Sequence, residues 1–305
     1  MDHLPPKSAV RGVQVTAADF LEAGRDRLQL RLVAGEGSLG RVIPEPIVNR
    51  LGLAFTGFFK CFEWRRIQVV GNAEWAYMRS LAPAERERRL GDIMAHKAWL
   101  FVFTNGHRAT PETLRIARKC RAVVMESPLR TSMFSRHATF ILENLAAPRT
   151  TVYGTMVEVC GLGVLFEGDP GLGKSETALG LIKRGYALIA DDLTCVRKEI
   201  GNNTLYGSAS ESTAGYMEIR GIGIMHIPSL FGVAAVRGEK CLELVITFKR
   251  LQDVAGEIDR IGQTRRVRTI LGVDVPNIII PVSAGRDLVN LVETAAQQQK
   301  LIMAG

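Results

Sequence analysis

The sequence predicts an α/β protein in which a small N-terminal α/β domain is followed by a P-loop domain. Three observations support this prediction. The 305 residues suffice for about two domains. Short apolar runs alternate with helical patterns through the first 130 residues, and a glycine-rich phosphate-binding motif begins at Gly168. We expect the boundary between residues 130 and 150, and assign residues 1–133 to the N-terminal domain and residues 134–305 to the P-loop domain.

In the N-terminal domain, strands and helices alternate, which is typical of a parallel sheet. Ile67–Val70 is predicted to form a strand that ends at Gly71, with a helix opening at Asn72. Another helix is predicted from Pro83, because proline is favoured in the first helical turn. The same order then repeats in the strand Leu100–Phe103, a helix from Pro111 and a strand at residues 122–125. No catalytic constellation accompanies these elements.

The connection to the second domain is predicted from a change of pattern. Residues 140–145 are amphipathic, and residues 146–149 suit a connector. Beyond it, the apolar residues 151–160 and 163–166 are separated by Gly161, a spacing that suits an antiparallel hairpin.

Charge is distributed unevenly along the chain. The formal net charge of +8 invites a nucleic-acid partner. Residues 1–130, however, carry 21 basic and 13 acidic side chains, whereas residues 131–305 carry 18 of each. The excess therefore belongs to the N-terminal part and supports two different modules. No helix-turn-helix, zinc-finger or aromatic-stacking pattern accompanies it, so we expect no nucleic-acid partner.

Other classes of protein are disfavoured by composition. No apolar run approaches the ~20 residues of a membrane helix, and no apolar signal core follows Met1. Five scattered cysteines without CxxC spacing favour neither a zinc site nor a disulfide framework. We therefore expect a cytoplasmic protein without membrane contact, in which each cysteine is a small buried residue.

The strongest motif is GxxxxGKS at residues 168–175, which lies between an apolar strand and a helical run. Glycines let successive backbone N–H groups turn toward phosphate oxygens, and the helix N-terminus adds positive potential. Lys174 is expected to reach the β- and γ-phosphates of ATP, and the Ser175 hydroxyl to ligate Mg²⁺. The predicted nucleotide-binding residues are Gly168, Asp169, Pro170, Gly171, Leu172, Gly173, Lys174 and Ser175.

Two further clusters carry charge next to predicted strands. Asp191 and Asp192 follow the apolar strand Ala187–Ala190, where a carboxylate beside a P-loop faces the metal or the reacting group. A solvated turn or a helix cap is the alternative. Glu218 and Arg220 lie in a glycine-punctuated apolar strand, where charges need partners. Glu218 can supply a second metal ligand and Arg220 can clamp phosphate, or the two can form an internal ion pair.

Together these segments resemble the bacterial HPr kinase/phosphorylase family. The likeness extends to residues 147–152, 270–273 and 47–54, so it covers most of the chain in order. The combination of GKSE with EIRGIGI is much more specific than a P-loop alone. The resemblance implies a phosphoenolpyruvate-carboxykinase-like nucleotide-binding core.

The resemblance also implies a bifunctional enzyme. In that family, ATP and Mg²⁺ phosphorylate a seryl hydroxyl of HPr, the phosphocarrier of the sugar phosphotransferase system, and inorganic phosphate later releases pyrophosphate from the phosphoserine. Lys174 then holds phosphate, Ser175 and Glu218 bind Mg²⁺, Asp192 is the base for the seryl proton, and Arg260 matches a catalytic arginine. The family is a homo-hexamer whose C-terminal helix helps to grip HPr. Residues 288–301 suit such a helix, and equally a helix that packs on the core.

Two departures from the family pattern concern catalysis. Tyr153 stands where the family has a histidine, and a phenol cannot reproduce the charge or the titration of an imidazole near pH 7. Tyr153 can still donate a hydrogen bond to phosphate or to Asp192, so we keep it among the catalytic candidates. Ser283-Ala284 replaces an Arg-Pro pair just before Arg286, in a segment linked to dephosphorylation. The sequence therefore predicts a kinase with weakened phosphorylase activity.

Three other functions stay open. The chain can be a regulatory homologue that binds nucleotide but catalyses poorly, which Tyr153 favours. It can be a kinase for another acceptor, since a P-loop does not specify the acceptor. A nucleic-acid-binding ATPase is the third, motivated only by the basic N-terminal part.

Overall fold

The computed structural model describes residues 13–254 and 266–304, and the predicted catalytic Arg260 lies outside these ranges. Contacts between Cα atoms divide the chain into two compact units, one that ends at Ala147 and one that continues from Pro148. The position after residue 133, chosen above as the boundary, lies inside helix Thr131–Ala146 of the first unit.

The N-terminal unit is a five-stranded sheet with helices. Its strands are β1 (Arg31–Ala34), β2 (Val48–Arg50), β3 (Ile67–Val70), β4 (Leu100–Phe103) and β5 (Val123–Glu126). Its helices are α1 (Ala17–Gly24), α2 (Asn72–Ser80), α3 (Pro83–Ala95), α4 (Pro111–Lys119) and α5 (Thr131–Ala146). The strand order is β1-β5-β4-β3-β2. Strands β2 to β5 are parallel and β1 is antiparallel to β5, which confirms the predicted parallel sheet.

Local sequence explains where these elements begin. Every residue of β3 and β4 is buried, as expected for strands covered on both faces. Helices α3 and α4 both start with proline, whose missing N–H costs nothing in the first turn. The Thr110 hydroxyl accepts a hydrogen bond from the Thr113 N–H and so caps α4.

The C-terminal unit is built on a larger mixed sheet. Its helices are α6 (Lys174–Lys183), α7 (Ile227–Phe231) and α8 (Leu288–Ala304). Its strands are β6 (Arg149–Tyr153), β7 (Thr155–Val159), β8 (Leu162–Glu167), β9 (Ala187–Ala190), β10 (Leu193–Lys198), β11 (Leu205–Ser208), β12 (Tyr216–Ile219), β13 (Gly223–His226), β14 (Glu239–Arg250), β15 (Arg266–Ile270) and β16 (Val273–Val282). The main order is β6-β10-β11-β14-β8-β7-β9, with β16 on β14, β15 on β16, and β12–β13 as a separate hairpin.

Two sequence predictions in this unit, and one about the cysteines of both units, are wrong in detail. The run 151–160 is two strands that separate at Gly154, where an added Cβ would lie 2.5 Å from the Phe166 carbonyl oxygen; β7 and β8 do form the predicted antiparallel hairpin. Residues 218–224 belong to two strands joined by a turn, because Gly221 and Gly223 adopt positive φ. None of the five cysteines is fully buried, and all are free thiols.

The parallel strands of this unit bring several loops to one edge. Strand β14 is parallel to both β8 and β16, and β9 is parallel to β8 because β7 is antiparallel to each. The carboxyl ends of β9, β8, β14 and β16 therefore meet at the same edge, where ligands of α/β sheets bind. Among the described residues, no helix is both long and apolar enough to cross a lipid bilayer.

Candidate active site

The P-loop follows β8 and leads directly into α6. Gly168 leaves no room for a side chain, because an added Cβ would lie 2.6 Å from the Phe248 carbonyl oxygen of neighbouring β14. Gly173 has a φ of +84° and caps the N-terminus of α6 in the left-handed conformation. Leu172 is buried in the core between the sheet and the helices, and its packing anchors the loop to that core. Backbone geometry and packing thus determine the shape of the loop that the motif predicts to bind phosphate.

Lys174 lies across this loop. Its Nζ donates hydrogen bonds to the carbonyl oxygens of Gly168, at 2.8 Å, and Asp169, at 3.1 Å. A cation is therefore held against the loop whose N–H groups would surround a phosphate.

Asp191 links three separate segments of the unit. Its carboxylate is 7% exposed and accepts hydrogen bonds from the Thr155 hydroxyl at 2.8 Å, the Ser175 hydroxyl at 3.1 Å and the Glu218 N–H at 3.1 Å. Strand β7, the start of α6 and the hairpin β12–β13 thus meet at one carboxylate. Sequence reasoning missed Thr155, because no motif marks a donor that arrives from a strand 36 residues away.

Burial raises the pKa of Asp191, and the neighbouring carboxylate of Asp192 adds to the effect. The hydrogen bonds from Thr155, the Glu218 N–H and Ser175 oppose this shift without cancelling it. Asp191 therefore keeps its proton to a higher pH than an exposed aspartate.

Asp192 and Tyr153 lie on the exposed side of the same region. Asp192 has a φ of +56°, and its carbonyl oxygen accepts a hydrogen bond from the Gly154 N–H at 2.8 Å. Strand β10 then pairs with β6, so that Leu193 is opposite Tyr153. Tyr153 is 80% exposed, and Asp192 is exposed as well. The two consecutive aspartates thus differ sharply: Asp191 is buried and bonded, and Asp192 faces solvent.

Glu218 and Arg220 are exposed on the hairpin β12–β13. Within the described residues they form no ion pair with each other, so the internal-pair alternative is wrong. The Arg220 guanidinium lies beside the P-loop, since a Cβ added to Gly171 would be 3.1 Å from its Nη1. The hairpin therefore places the Glu218 backbone on the carboxylate that also binds Ser175, and a cation next to the glycine loop.

Arg286 follows β16 and donates a hydrogen bond to the Pro281 carbonyl oxygen of its own segment at 3.1 Å. It therefore lies at the carboxyl end of β16, and no described contact joins it to the P-loop.

The side chains of Ser175 and Glu218 suit Mg²⁺ chemically. Ser175 and Glu218 supply a hydroxyl and a carboxylate, which are hard oxygen ligands, and Mg²⁺ takes its remaining ligands from phosphates and water. No group of three or more His, Cys, Asp or Glu side chains able to hold a metal occurs in residues 13–254 and 266–304.

Two family profiles match the chain in sequence order. The profile for the HPr Serine kinase N terminus matches residues 15–142, and that for the HPr Serine kinase C-terminal domain matches residues 144–305. The chain belongs to the HPr kinase/phosphorylase family. The predicted resemblance is thereby confirmed, as is the α/β fold class with a kinase domain after a smaller domain.

Individual relatives cover nearly the whole chain. The HPr kinase/phosphorylase of Leptospira biflexa is 41% identical over 286 residues, which are 92% of this chain and 87% of that protein. The HPr kinase/phosphorylase of Halalkalibacterium halodurans is 36% identical over 292 residues, which are 96% and 92% of the two chains. A solved structure, the Hpr(Ser) kinase/phosphatase from Coxiella burnetii, is 36% identical and covers 51% of this chain and 93% of its own, with a TM-score of 0.49.

Proposed function

We propose that this protein transfers the γ-phosphoryl group of ATP, with Mg²⁺, to a seryl hydroxyl of the phosphocarrier HPr. The observation that carries the proposal is the pair of adjacent aspartates. Asp191 binds Ser175 of the P-loop and the backbone of Glu218, while the adjacent Asp192 is exposed and its side chain makes no hydrogen bond or ion pair within the described residues. The choice of HPr as the acceptor is based on the names of the relatives.

The cations at the loop stabilise charge on the transferred group. Lys174 already lies against the loop carbonyls, and the Arg220 guanidinium lies beside Gly171. Phosphoryl transfer depends on positioning and charge neutralisation, which preorganised cations provide. Ser175 and Glu218 would hold Mg²⁺, which neutralises phosphate charge when bound. The family resemblance implies that Arg260 supplies a further cation.

Asp192 is the proposed general base. A seryl hydroxyl is a weak nucleophile, so a carboxylate must accept its proton as the new bond forms. The seryl oxygen bonds to the γ-phosphorus, the bond between that phosphorus and the β–γ bridging oxygen breaks, and ADP leaves. The proton passes to a carboxylate oxygen of Asp192. Nothing in the described structure has to be displaced for this step, because the Asp192 side chain makes no hydrogen bond or ion pair there.

The decisive experiment uses labelled ATP, Mg²⁺ and HPr, in parallel with HPr whose acceptor serine is alanine. Label on the first protein only supports the proposal. Absence of label with measurable ATP binding supports a regulatory nucleotide-binding homologue instead, and label on other proteins or metabolites supports another acceptor.

We propose in addition that the phosphate-dependent reverse reaction is weak. Ser283 and Ala284 supply no guanidinium where the family has Arg-Pro, and Arg286 is bonded to its own segment. Phosphorylated HPr incubated with inorganic phosphate should release pyrophosphate slowly, and a Ser283→Arg/Ala284→Pro variant should release it several-fold faster. Robust release by the unaltered protein contradicts this proposal. The family resemblance also leads us to propose a homo-hexamer, which sedimentation velocity tests.

A further inference from the structure

An open depression of about 600 Å³ lies at the carboxyl ends of β14 and β16. It is lined by Arg250, Leu251, Gln252 and Val282. Its volume falls within the roughly 300–1,000 Å³ of small-molecule sites. None of these four residues has a role in the phosphoryl transfer derived above.

The strand register locates this depression relative to the P-loop. Thr247 of β14 is opposite Glu167, so Gly168 packs against Phe248. Arg250, two residues farther along β14, pairs with Val282 of β16. At about 3.3 Å per residue, the depression begins only about 7 Å along β14 from the loop.

The order of the strands shows on which side of the P-loop the depression lies, and so which end of the phosphoryl donor it can contact. Along the edge, the strands run β16-β14-β8-β7-β9. Asp191 and Asp192 follow β9 on one side of the P-loop strand β8, and the depression lies on the other side. A donor whose γ-phosphate faces Asp192 therefore extends its opposite end toward β14 and β16.

The lining has the chemistry that a nucleobase requires. Leu251 is 47% exposed and, with the partly buried Val282, offers apolar surface to a flat ring. The Gln252 amide carries both a donor and an acceptor, the combination that pairs with N6 and N7 of adenine. Residues 251–254 form a 3₁₀ turn held by Val254, which is buried, so this surface exists before any ligand binds.

We propose that this depression binds the nucleoside of the phosphoryl donor, and that Leu251 and Gln252 give ATP its advantage over donors without a base. The inference rests on the proposed kinase function and assigns a second part of the same donor site. Inorganic triphosphate is the discriminating probe, because it fills the P-loop but has no nucleoside.

The test measures binding of ATP and of inorganic triphosphate, each with Mg²⁺, by calorimetry on the full chain. Leu251→Ser/Gln252→Ala should weaken ATP binding about tenfold or more and leave triphosphate binding unchanged. Leu53→Ser, which alters another exposed leucine, in the N-terminal unit, is the control and should change neither affinity. Gln252→Ala alone provides the test should the double variant fold poorly.

Equal losses for both ligands, or no loss for ATP, overturn the nucleoside assignment. Failure of the proposed function is a separate result, since it appears as absent transfer to HPr by the unaltered protein regardless of these affinities.

Discussion

Both units bring the carboxyl ends of parallel strands to one edge, yet the polar side chains at the two edges differ. In the N-terminal unit, Arg50 donates to both carboxylate oxygens of Glu74, at 3.1 and 2.9 Å, and Glu74 also accepts from the Gly71 N–H. Asn105 donates to the Thr131 hydroxyl at 2.6 Å. These groups bind each other and leave little for a ligand.

At the edge of the C-terminal unit, one buried carboxylate is fully bonded and its neighbours are free. Asp191 has three donors, whereas the side chains of Asp192, Glu218 and Arg220 form no hydrogen bond or ion pair within the described residues. The comparison teaches that the carboxyl edge of a sheet is not sufficient to identify a site. Chemistry is expected where preorganised polar groups at that edge remain unpaired.

The largest expected effect is at the free carboxylate. Asp192→Asn should lower the rate of phosphoryl transfer by about 10³-fold, because it removes the proton acceptor. The fold should be unchanged, since this side chain is exposed and has no hydrogen bond among residues 13–254 and 266–304. Initial rates with HPr, together with circular dichroism, measure both quantities. Asp92→Asn, at a partly exposed aspartate of α3 that pairs with Arg88, serves as control and should keep the full rate. A loss of less than tenfold for Asp192→Asn contradicts its assignment as base.

The bonded carboxylate of the N-terminal edge should affect stability instead. Glu74 is 5% exposed, and Glu74→Gln should reduce the free energy of unfolding by about 1–3 kcal/mol without lowering the rate constant of the folded enzyme. Urea unfolding followed in both variants gives the difference. A large loss of turnover with intact stability would place this edge in the active site after all.

The same residue predicts a pH dependence. Burial acts to raise the pKa of Glu74, but hydrogen bonds from Arg50 and the backbone outweigh it, and the net pKa is lowered. A carboxyl with a lowered pKa stabilises the fold above its unfolded pKa of about 4.3, and that contribution is lost as pH falls through the folded value. Unfolding free energies measured from pH 7 down to pH 3 should therefore converge for Glu74→Gln and the unaltered protein.

A smaller effect is expected where α8 is held on α6. Glu293 accepts hydrogen bonds from the Tyr186 hydroxyl at 2.7 Å and from Arg184 at 2.5 Å, and these bonds lower its pKa. Glu293→Gln should lower the melting temperature by a few degrees, because the bonded groups are partly exposed. Glu87→Gln, which breaks the exposed pair with Arg115, should produce almost no change in thermal melts. Equal shifts of the melting temperature in the two variants would show that the α6–α8 contact adds nothing to thermal stability.

The smallest expected effect is at Tyr153. Its hydroxyl has no partner in the described structure, so Tyr153→Phe should lower the transfer rate only about 2–10-fold, the value of one neutral hydrogen bond to substrate. Tyr153→His should add a titration near pH 6.5 to the pH–rate profile. A profile identical to that of the unaltered protein would remove residue 153 from the catalytic group.

Local patterns in the sequence were sufficient for most of the fold. Ile67–Val70, Leu100–Phe103 and Ala187–Ala190 are strands as predicted, because compact apolar runs ended by glycine or a polar residue indicate buried strands directly. The P-loop was also evident, since its glycines, lysine and serine all lie within the eight residues 168–175. Errors arose where an element ends within an apolar run, as at Gly154, because the close approach of Phe166 that requires glycine there is a tertiary contact.

By itself, the sequence determined the order of elements, the phosphate loop and the family. Only the tertiary structure decided which of its charged residues are buried and which are exposed. It buried Asp191 under Thr155, Ser175 and the Glu218 N–H while leaving Asp192 exposed, and it brought Arg220 to Gly171 across about 50 residues of chain. It also opened the depression beside Leu251. The physical reason is that helix and strand periodicity record which face of a segment is buried, whereas pairing between distant strands determines which side chains meet.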